Sequence, residues 1–103
     1  MHENYVLRSL HIVISRCANS IEGWLETLLR DSVPQYMTYR IFVYEKCGAG
    51  GDPSWDQAHN VVRTQLPNVG FNDHSYATYL HGIERKDMAD AVLLLVDDPF
   101  DET

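Results

Sequence analysis

The sequence predicts a single α/β domain, residues 1–103, in which an open, mainly parallel sheet lies between two layers of helices. Three observations predict this class. Apolar, β-branched segments alternate with amphipathic helical segments, and the last apolar segment has no polar face. The connections are also long enough to be the crossovers that parallel strands require.

The first half of the chain contains two strands and one helix. Residues 10–15 are apolar and β-branched, so we expect a central strand. Asn19 has Glu22 three residues on and is the expected helix N-cap. Residues 39–45 are the second strand, rich in aromatic and β-branched side chains. The helix between them is predicted from apolar residues at helical spacing: Ile21, Trp24, Leu25, Leu28 and Leu29.

The second half continues the alternation. A glycine-rich loop at residues 48–53 precedes one helical turn at 55–59 and a short strand at 61–64. Asn72 or Asp73 is the expected cap of a helix that runs to about residue 86. The last strand, residues 91–96, should be covered by helices on both faces. We expect the buried stripe of the second long helix to be Tyr76, Tyr79, Leu80 and Ile83.

Composition excludes several classes of partner. A net charge of −7 argues against a nucleic-acid or anionic-membrane surface, since both need clustered Lys and Arg. The longest apolar run, residues 91–96, is far short of the roughly 20 residues that span a bilayer. The first residues lack the pattern of a signal peptide, so a cytoplasmic protein is expected.

Two cysteines, Cys17 and Cys47, follow the first and second predicted strands at similar offsets. If those strands are parallel neighbours, the two thiols lie close together at one edge of the sheet, and a disulfide or redox pair is geometrically feasible. In a reducing compartment, two reduced structural thiols are the favoured interpretation.

Carboxylates end the last strand. Asp97 and Asp98 are placed to hold Mg²⁺ or Mn²⁺, which prefer oxygen ligands, and a solvated acidic turn before Pro99 is the favoured alternative. Because neighbouring side chains alternate, only one of the two should face the sheet.

A polar turn and a helix start form the second candidate feature. Gly70 permits positive φ, and the free N–H groups of the following helix suit an anion, which Asn68 and His74 could also contact. The alternative is a plain turn with a capped helix. Arg16 and Asn19 follow the first strand, where α/β folds often bind nucleotides. No P-loop, dinucleotide fingerprint or esterase nucleophile motif is present.

These motifs resemble a domain-of-unknown-function family that is similar to glycosyltransferases of the GT-A fold. The residues that carry the resemblance are the strand at 41–46 (Ile-Phe-Val-Tyr-Glu-Lys), the turn at 66–70 (Leu-Pro-Asn-Val-Gly), the segment 74–76 (His-Ser-Tyr) and the final Asp98-Pro99. The resemblance implies the nucleotide-binding half of such an enzyme, with a Rossmann-like sheet, and a chain that is truncated relative to full-length relatives. Where this family has arginine and glutamate after the turn glycine, Phe71 and Asn72 stand here.

Two functions follow as expectations. The first is a nucleotide-sugar-binding domain with Arg16, Asn19, Asn68, Gly70 and His74 at the nucleotide and Asp97 and Asp98 at Mn²⁺ or Mg²⁺, Asp98 facing the site more than Asp97. The alternative is a non-catalytic interaction or regulatory domain, for which uncovered apolar faces favour a homodimer or a second subunit.

Overall fold

The computed structural model describes residues 7–48 and 50–97 and shows an all-parallel, four-stranded sheet with helices on both faces. This confirms the predicted α/β class. The elements in chain order are β1 (Ser9–Arg16), α1 (Glu22–Ser32), β2 (Thr38–Glu45), α2 (Pro53–Ala58), β3 (Val61–Gln65), α3 (Phe71–Gly82), a 3-10 turn (Arg85–Asp87) and β4 (Ala91–Val96).

The strand order is β3-β2-β1-β4, the arrangement of a Rossmann-like open sheet. Ile12 of β1 pairs in register with Ile41 of β2 on one side and with Leu93 of β4 on the other. The sheet therefore grows outward in one direction through β2 and β3, and in the other direction through β4. Ligands of open α/β sheets bind at such a switch point, outside the carboxyl ends of the strands.

Side-chain alternation along β1 divides the core into two layers. Ile12 and Ile14 face α1, whose Ile21 and Leu25 are fully buried. Val13 faces the opposite layer, which is built from α3 and its neighbours. Two buried polar pairs link β1 to α3 there: His11 Nδ1 with the Tyr79 hydroxyl at 2.8 Å, and the hydroxyls of Ser15 and Ser75 at 2.8 Å.

The helix starts differ from the predictions. The N-cap of α1 is Ile21, and the expected cap Asn19 lies in the loop before it. The Glu22 carboxylate accepts a hydrogen bond from the Ile21 N–H at 3.1 Å, but Glu22 is the first residue of the helix and not the third, so the expected capping box does not form. The N-cap of α3 is Gly70, and neither Asn72 nor Asp73 occupies that position.

The second long helix is also shorter than predicted. It ends at Gly82, and Ile83 has an extended backbone. Glycine weakens a helix, so the chain leaves the helical conformation there and does not continue to residue 86. Of the predicted stripe, Tyr79 is buried, but Leu80 is 56% exposed.

The prediction that helices cover both faces of the last strand is wrong. β4 lies at an edge of the sheet, and Val92, Leu93 and Leu94 are between 37% and 44% exposed. The described helices pack over the centre of the sheet, so the outer strand keeps apolar surface on both faces. In the part of the chain that the structure describes, no helix has the length and apolar character needed to cross a bilayer.

Candidate functional site

A cavity of about 170 Å³ opens at the carboxyl ends of β1, β2 and β4. It lies at the switch point of the sheet, the place where the topology predicts a ligand site. Its lining combines two cationic side chains, two amides, one carboxylate and an aromatic ring. The lining residues are Ser15, Arg16, Cys17, Lys46, Asn68, Phe71, Asn72 and Asp97.

Arg16, the last residue of β1, is held by a buried carboxylate. Its Nη1 donates to Glu45 Oε2 at 2.6 Å, and its Nε donates to the Asn19 carbonyl at 2.9 Å. Glu45 is only 1% exposed and also accepts a hydrogen bond from Arg63 Nη1 at 2.6 Å. Among residues 7–48 and 50–97, nothing accepts from Arg16 Nη2, so that edge of the guanidinium can still donate to a ligand.

A second arginine, Arg63, lies behind the site and is hydrogen-bonded to several carboxylates. Arg63 forms a two-bond pair with Asp56, at 2.7 and 2.9 Å, besides its bond to Glu45. Burial alone would lower the pKa of Arg63, but the hydrogen bonds to these two carboxylates outweigh it and raise the pKa. The network therefore keeps a permanent positive charge beside Glu45, which stabilises that buried carboxylate.

Glycines bring the loop after β2 close to both guanidinium groups. A Cβ atom added at Gly50 would collide with Arg16 Nη1, and one added at Gly51 would collide with the Arg63 guanidinium. The glycine-rich loop thus packs its backbone directly on the arginines. This close packing explains why the loop contains glycine at positions 50 and 51, where the sequence alone indicated only a flexible loop.

Lys46 is the second cation of the cavity, and the sequence indicated it only as the last residue of the 41–46 strand motif, not as a site residue. It directly follows β2 and is 6% exposed. Its Nζ donates to the backbone carbonyl of Val69 at 2.6 Å and also to that of Phe71. An ammonium group has three N–H donors, so these two bonds leave one for a ligand. The signal available in the sequence was its position at the carboxyl end of an interior strand.

The start of α3 borders the same cavity, because Phe71 and Asn72 of its first turn are among the lining residues. Gly70 is the N-cap of α3 and has φ +70°. It has no side chain that could accept a hydrogen bond from the N–H groups of the first helical turn. Phe71 also has positive φ, +52°, and its ring is 89% exposed. A non-glycine residue in this conformation is strained, and such strain concentrates at functional sites.

Asp97 joins the end of β4 to the loop after β1. Its Oδ2 accepts hydrogen bonds from the backbone N–H groups of Cys17 at 2.9 Å and Asn19 at 3.0 Å, and its carbonyl accepts one from Trp24 Nε1 at 2.9 Å. Asp97 therefore faces the mouth of the sheet, the position expected for Asp98. Asp98 itself lies outside the described residues.

The cavity brings together three of the predicted site residues, Arg16, Asn68 and Asp97. Asn19 contributes backbone atoms to the loop, and Gly70 caps α3. The half-buried His74 packs beneath Gly70, where a Cβ added to the glycine would lie 2.9 Å from the His74 Cβ. These last three residues shape the site without lining the cavity.

The described residues do not form a metal-binding cluster. Within residues 7–48 and 50–97, no three His, Cys, Asp or Glu side chains are grouped as ligands. One oxygen of Asp97 is already occupied by two backbone N–H groups. A divalent cation would thus find one partly engaged carboxylate, and it would need most of its ligands from water or from a bound phosphate.

The two cysteines form a disulfide beside the cavity. The Cα atoms of Cys17 and Cys47 are 4.7 Å apart, because each follows one of two adjacent parallel strands. The expected proximity of the cysteines is confirmed. The structure differs from the favoured interpretation of two reduced thiols.

The chain matches no family model, no curated protein and no solved structure.

Proposed function

We propose that this protein binds a nucleoside diphosphate, as the leaving-group part of a nucleotide-sugar, at the mouth of its sheet. The observation that carries the proposal is the convergence of Arg16 and Lys46 with the start of α3 on one cavity. Cationic side chains and the N-terminus of a helix are the groups that bind phosphate in proteins. The resemblance to glycosyltransferases of the GT-A fold agrees with this ligand class.

The size of the cavity indicates which part of the ligand it holds. A volume of about 170 Å³ is below the roughly 300–1,000 Å³ of a typical ligand pocket, so it accommodates the diphosphate alone. The nucleoside then extends over the rim, where the exposed ring of Phe71 offers an apolar surface. Asn68 and Asn72 in the lining supply amide donors and acceptors.

A divalent cation has a secondary place in this proposal. Mn²⁺ or Mg²⁺ would bind together with the diphosphate, whose oxygens supply ligands that the described side chains do not. The cation would screen the diphosphate charge and strengthen binding. The protein cations should hold the diphosphate without it, so removal of metal should weaken binding and not abolish it.

Calorimetric titration with the diphosphates of uridine, guanosine, adenosine and cytidine, with Mn²⁺ and with a chelator, tests the proposal. Saturable binding of at least one of them is expected. Lys46→Met should weaken that binding, because it removes the charge and keeps most of the apolar stem. Lys86→Met is the matched control, since Lys86 is exposed and lies before β4, at the amino end of the sheet.

Three outcomes separate the alternatives. Weaker binding by the Lys46 variant, with normal binding by the Lys86 variant, supports the site. Equal binding by both would place the ligand elsewhere. Absence of binding to every diphosphate at millimolar concentration, with and without Mn²⁺, would overturn the nucleotide-sugar proposal.

A second candidate function is an interaction domain that keeps the fold without the ligand. The exposed Val92, Leu93 and Leu94 of β4 favour it, because an apolar strand at a sheet edge is a surface that other chains can cover. A homodimer or a complex with a second subunit follows from this candidate. Sedimentation equilibrium of the chain distinguishes a monomer from a self-associated species.

A further inference from the structure

The disulfide lies one residue beyond the two cationic residues of the candidate site. Cys17 directly follows Arg16, and Cys47 directly follows Lys46. The Lys46 N–H also donates to the Arg16 carbonyl at 2.9 Å, the last backbone bond between these two chain segments before the disulfide. The covalent link therefore closes the end of the β1-β2 pair at the point where both cations enter the cavity.

The disulfide also supports the side of the cavity that is formed by Asp97 at the end of β4. Cys17 lines the cavity, and its N–H is one of the two groups that hold the Asp97 carboxylate. A change in the backbone at Cys17 would be transmitted to the end of β4 through that hydrogen bond. The carboxyl ends of β1, β2 and β4 therefore all depend on the position of Cys17.

The disulfide is open to a reductant. Both Cys17 and Cys47 are exposed to solvent, although the strands that precede them are largely buried. Exposed disulfides are the ones that thiols reduce readily, and structural disulfides are usually protected. In a reducing compartment, a disulfide of this kind is usually transient and serves a redox function.

We propose that the Cys17–Cys47 pair is a redox control of ligand binding at the mouth of the sheet. The disulfide form holds Arg16 and Lys46 in place for an anion, and the dithiol form releases the two loops and binds the anion more weakly. A binding site whose side chains must first be ordered loses affinity, because ordering them costs conformational entropy. This inference rests on the proposed diphosphate site and adds its regulation.

The reductant is a dithiol, and the step is an ordinary exchange. A thiolate of the dithiol attacks one cysteine Sγ, the S–S bond breaks, and the other cysteine leaves as a thiolate. The second thiolate of the dithiol then attacks the first dithiol sulfur, which is bonded to a cysteine Sγ in the mixed disulfide. The remaining cysteine leaves as a thiolate. The dithiol becomes a disulfide, and its two electrons and two protons end on Cys17 and Cys47.

The test uses the full chain in its oxidised form and after reduction with dithiothreitol. Intact mass after alkylation establishes the redox state, and far-UV circular dichroism establishes that both forms are folded. Titration with the nucleoside diphosphate that binds best should show roughly tenfold weaker binding for the reduced form, the scale set by ordering two long side chains. Reoxidation should restore the affinity.

The double variant with Cys17→Ser and Cys47→Ser is the matched control. It should bind like the reduced form, with no response to dithiothreitol. Equal affinity of the oxidised and reduced forms would overturn the redox control while leaving the diphosphate site intact. Absence of a disulfide after treatment with diamide would also overturn it.

A second measurement does not depend on any ligand. Hydrogen exchange at the backbone amides of Cys17, Asn19 and Lys46 should be faster in the reduced form, because the disulfide restrains the loops that hold them. Unchanged exchange at all three amides would overturn the redox control even if no diphosphate binds. Absence of diphosphate binding by the oxidised form, with faster exchange after reduction, would instead count against the proposed function and not against the restraint by the disulfide.

Discussion

The Asp97 carboxylate accepts a hydrogen bond from the Cys17 backbone N–H at 2.9 Å, and so fastens the end of β4 to the loop that follows β1. The two residues are 80 positions apart in the chain. The bond lies at the switch point of the sheet, where the candidate site opens. An acidic residue that the sequence suggested as a metal ligand thus has a structural role in shaping that site.

Removal of the Asp97 carboxylate should lower stability and loosen the site. Asp97→Ala leaves the N–H groups of Cys17 and Asn19 without their acceptor, at a cost of about 1–2 kcal/mol in the free energy of unfolding. Asp97→Asn keeps one oxygen acceptor and should lose less. Urea denaturation measures both variants, and equal losses would contradict the structural role of the accepting oxygen.

Neutralising the buried carboxylate at the end of β2 should have a larger effect. Glu45→Gln removes the charge that faces Arg16 and Arg63, and loss of one partner of a buried ion pair costs up to about 3–5 kcal/mol. Chemical denaturation should show this loss. Asp31→Asn is the control, because the Arg30–Asp31 pair is largely exposed and solvent screens the attraction between its charges. Similar losses for the two variants would argue against the buried network.

Gly70→Ala should destabilise the turn that opens α3. The residue has φ +70°, a conformation that costs about 1–2 kcal/mol for a residue with a Cβ, and that atom would lie 2.9 Å from the His74 Cβ. The free energy of unfolding should fall accordingly. At the other end of the helix, Gly82→Ala meets no atom within 4 Å and should raise stability slightly. A neutral Gly70→Ala would mean that the turn adopts another conformation.

The stability of the protein should depend on pH through His11. Burial and the charge of Arg40 lower the pKa of this histidine below the ordinary histidine value of about 6.5. Between the lowered pKa and about 6.5, the unfolded chain binds more protons than the folded one, so stability falls as pH falls through this range. His11→Phe should flatten this dependence, because the variant has no titrating group at that position.

Trp24→Ala should cost less than the about 3–5 kcal/mol typical of a fully buried tryptophan. The ring is only half-buried against the core cluster on the α1 face, and its Nε1 donates to the Asp97 carbonyl at 2.9 Å. Trp24→Phe keeps apolar contact and loses the hydrogen bond, so it should fall between the wild type and the alanine variant. An unchanged denaturation midpoint for Trp24→Ala would contradict the packing of this helix face.

The strands could be predicted because their hydrophobic patterns are local. The apolar run at residues 10–15 and the aromatic run at 39–45 each identified a strand to within one residue at either end. The four-stranded parallel order was in turn consistent with the alternation of strands and helices. Helix ends were less predictable, since the Asn19 N–H is engaged by Asp97, which is 78 residues away in the chain and comes near it only when the sheet forms.

The site could be predicted only in part for the same reason. Arg16 and Asp97 each directly follow a predicted strand, and Asn68 lies in the turn before a predicted helix, so their positions identified them. Lys46 becomes a site residue through bonds to the carbonyls of Val69 and Phe71 in a separate turn. Backbone acceptors leave no mark in the residue pattern, so the two bonds that hold this lysine at the site could not be predicted from the sequence.

The pairing of β1 with β4 has a consequence for the order of folding. Arg8 and Ser9, at the start of β1, bond to Asp90, which lies 82 and 81 residues further along the chain. Contacts of such long sequence separation form slowly, because a large loop must close before they stabilise anything. Until then the uncharged segment Ala91–Val96 is unpaired and rich in β-forming residues, which is the composition of aggregation-prone strands. Refolding yield should therefore fall steeply as protein concentration rises.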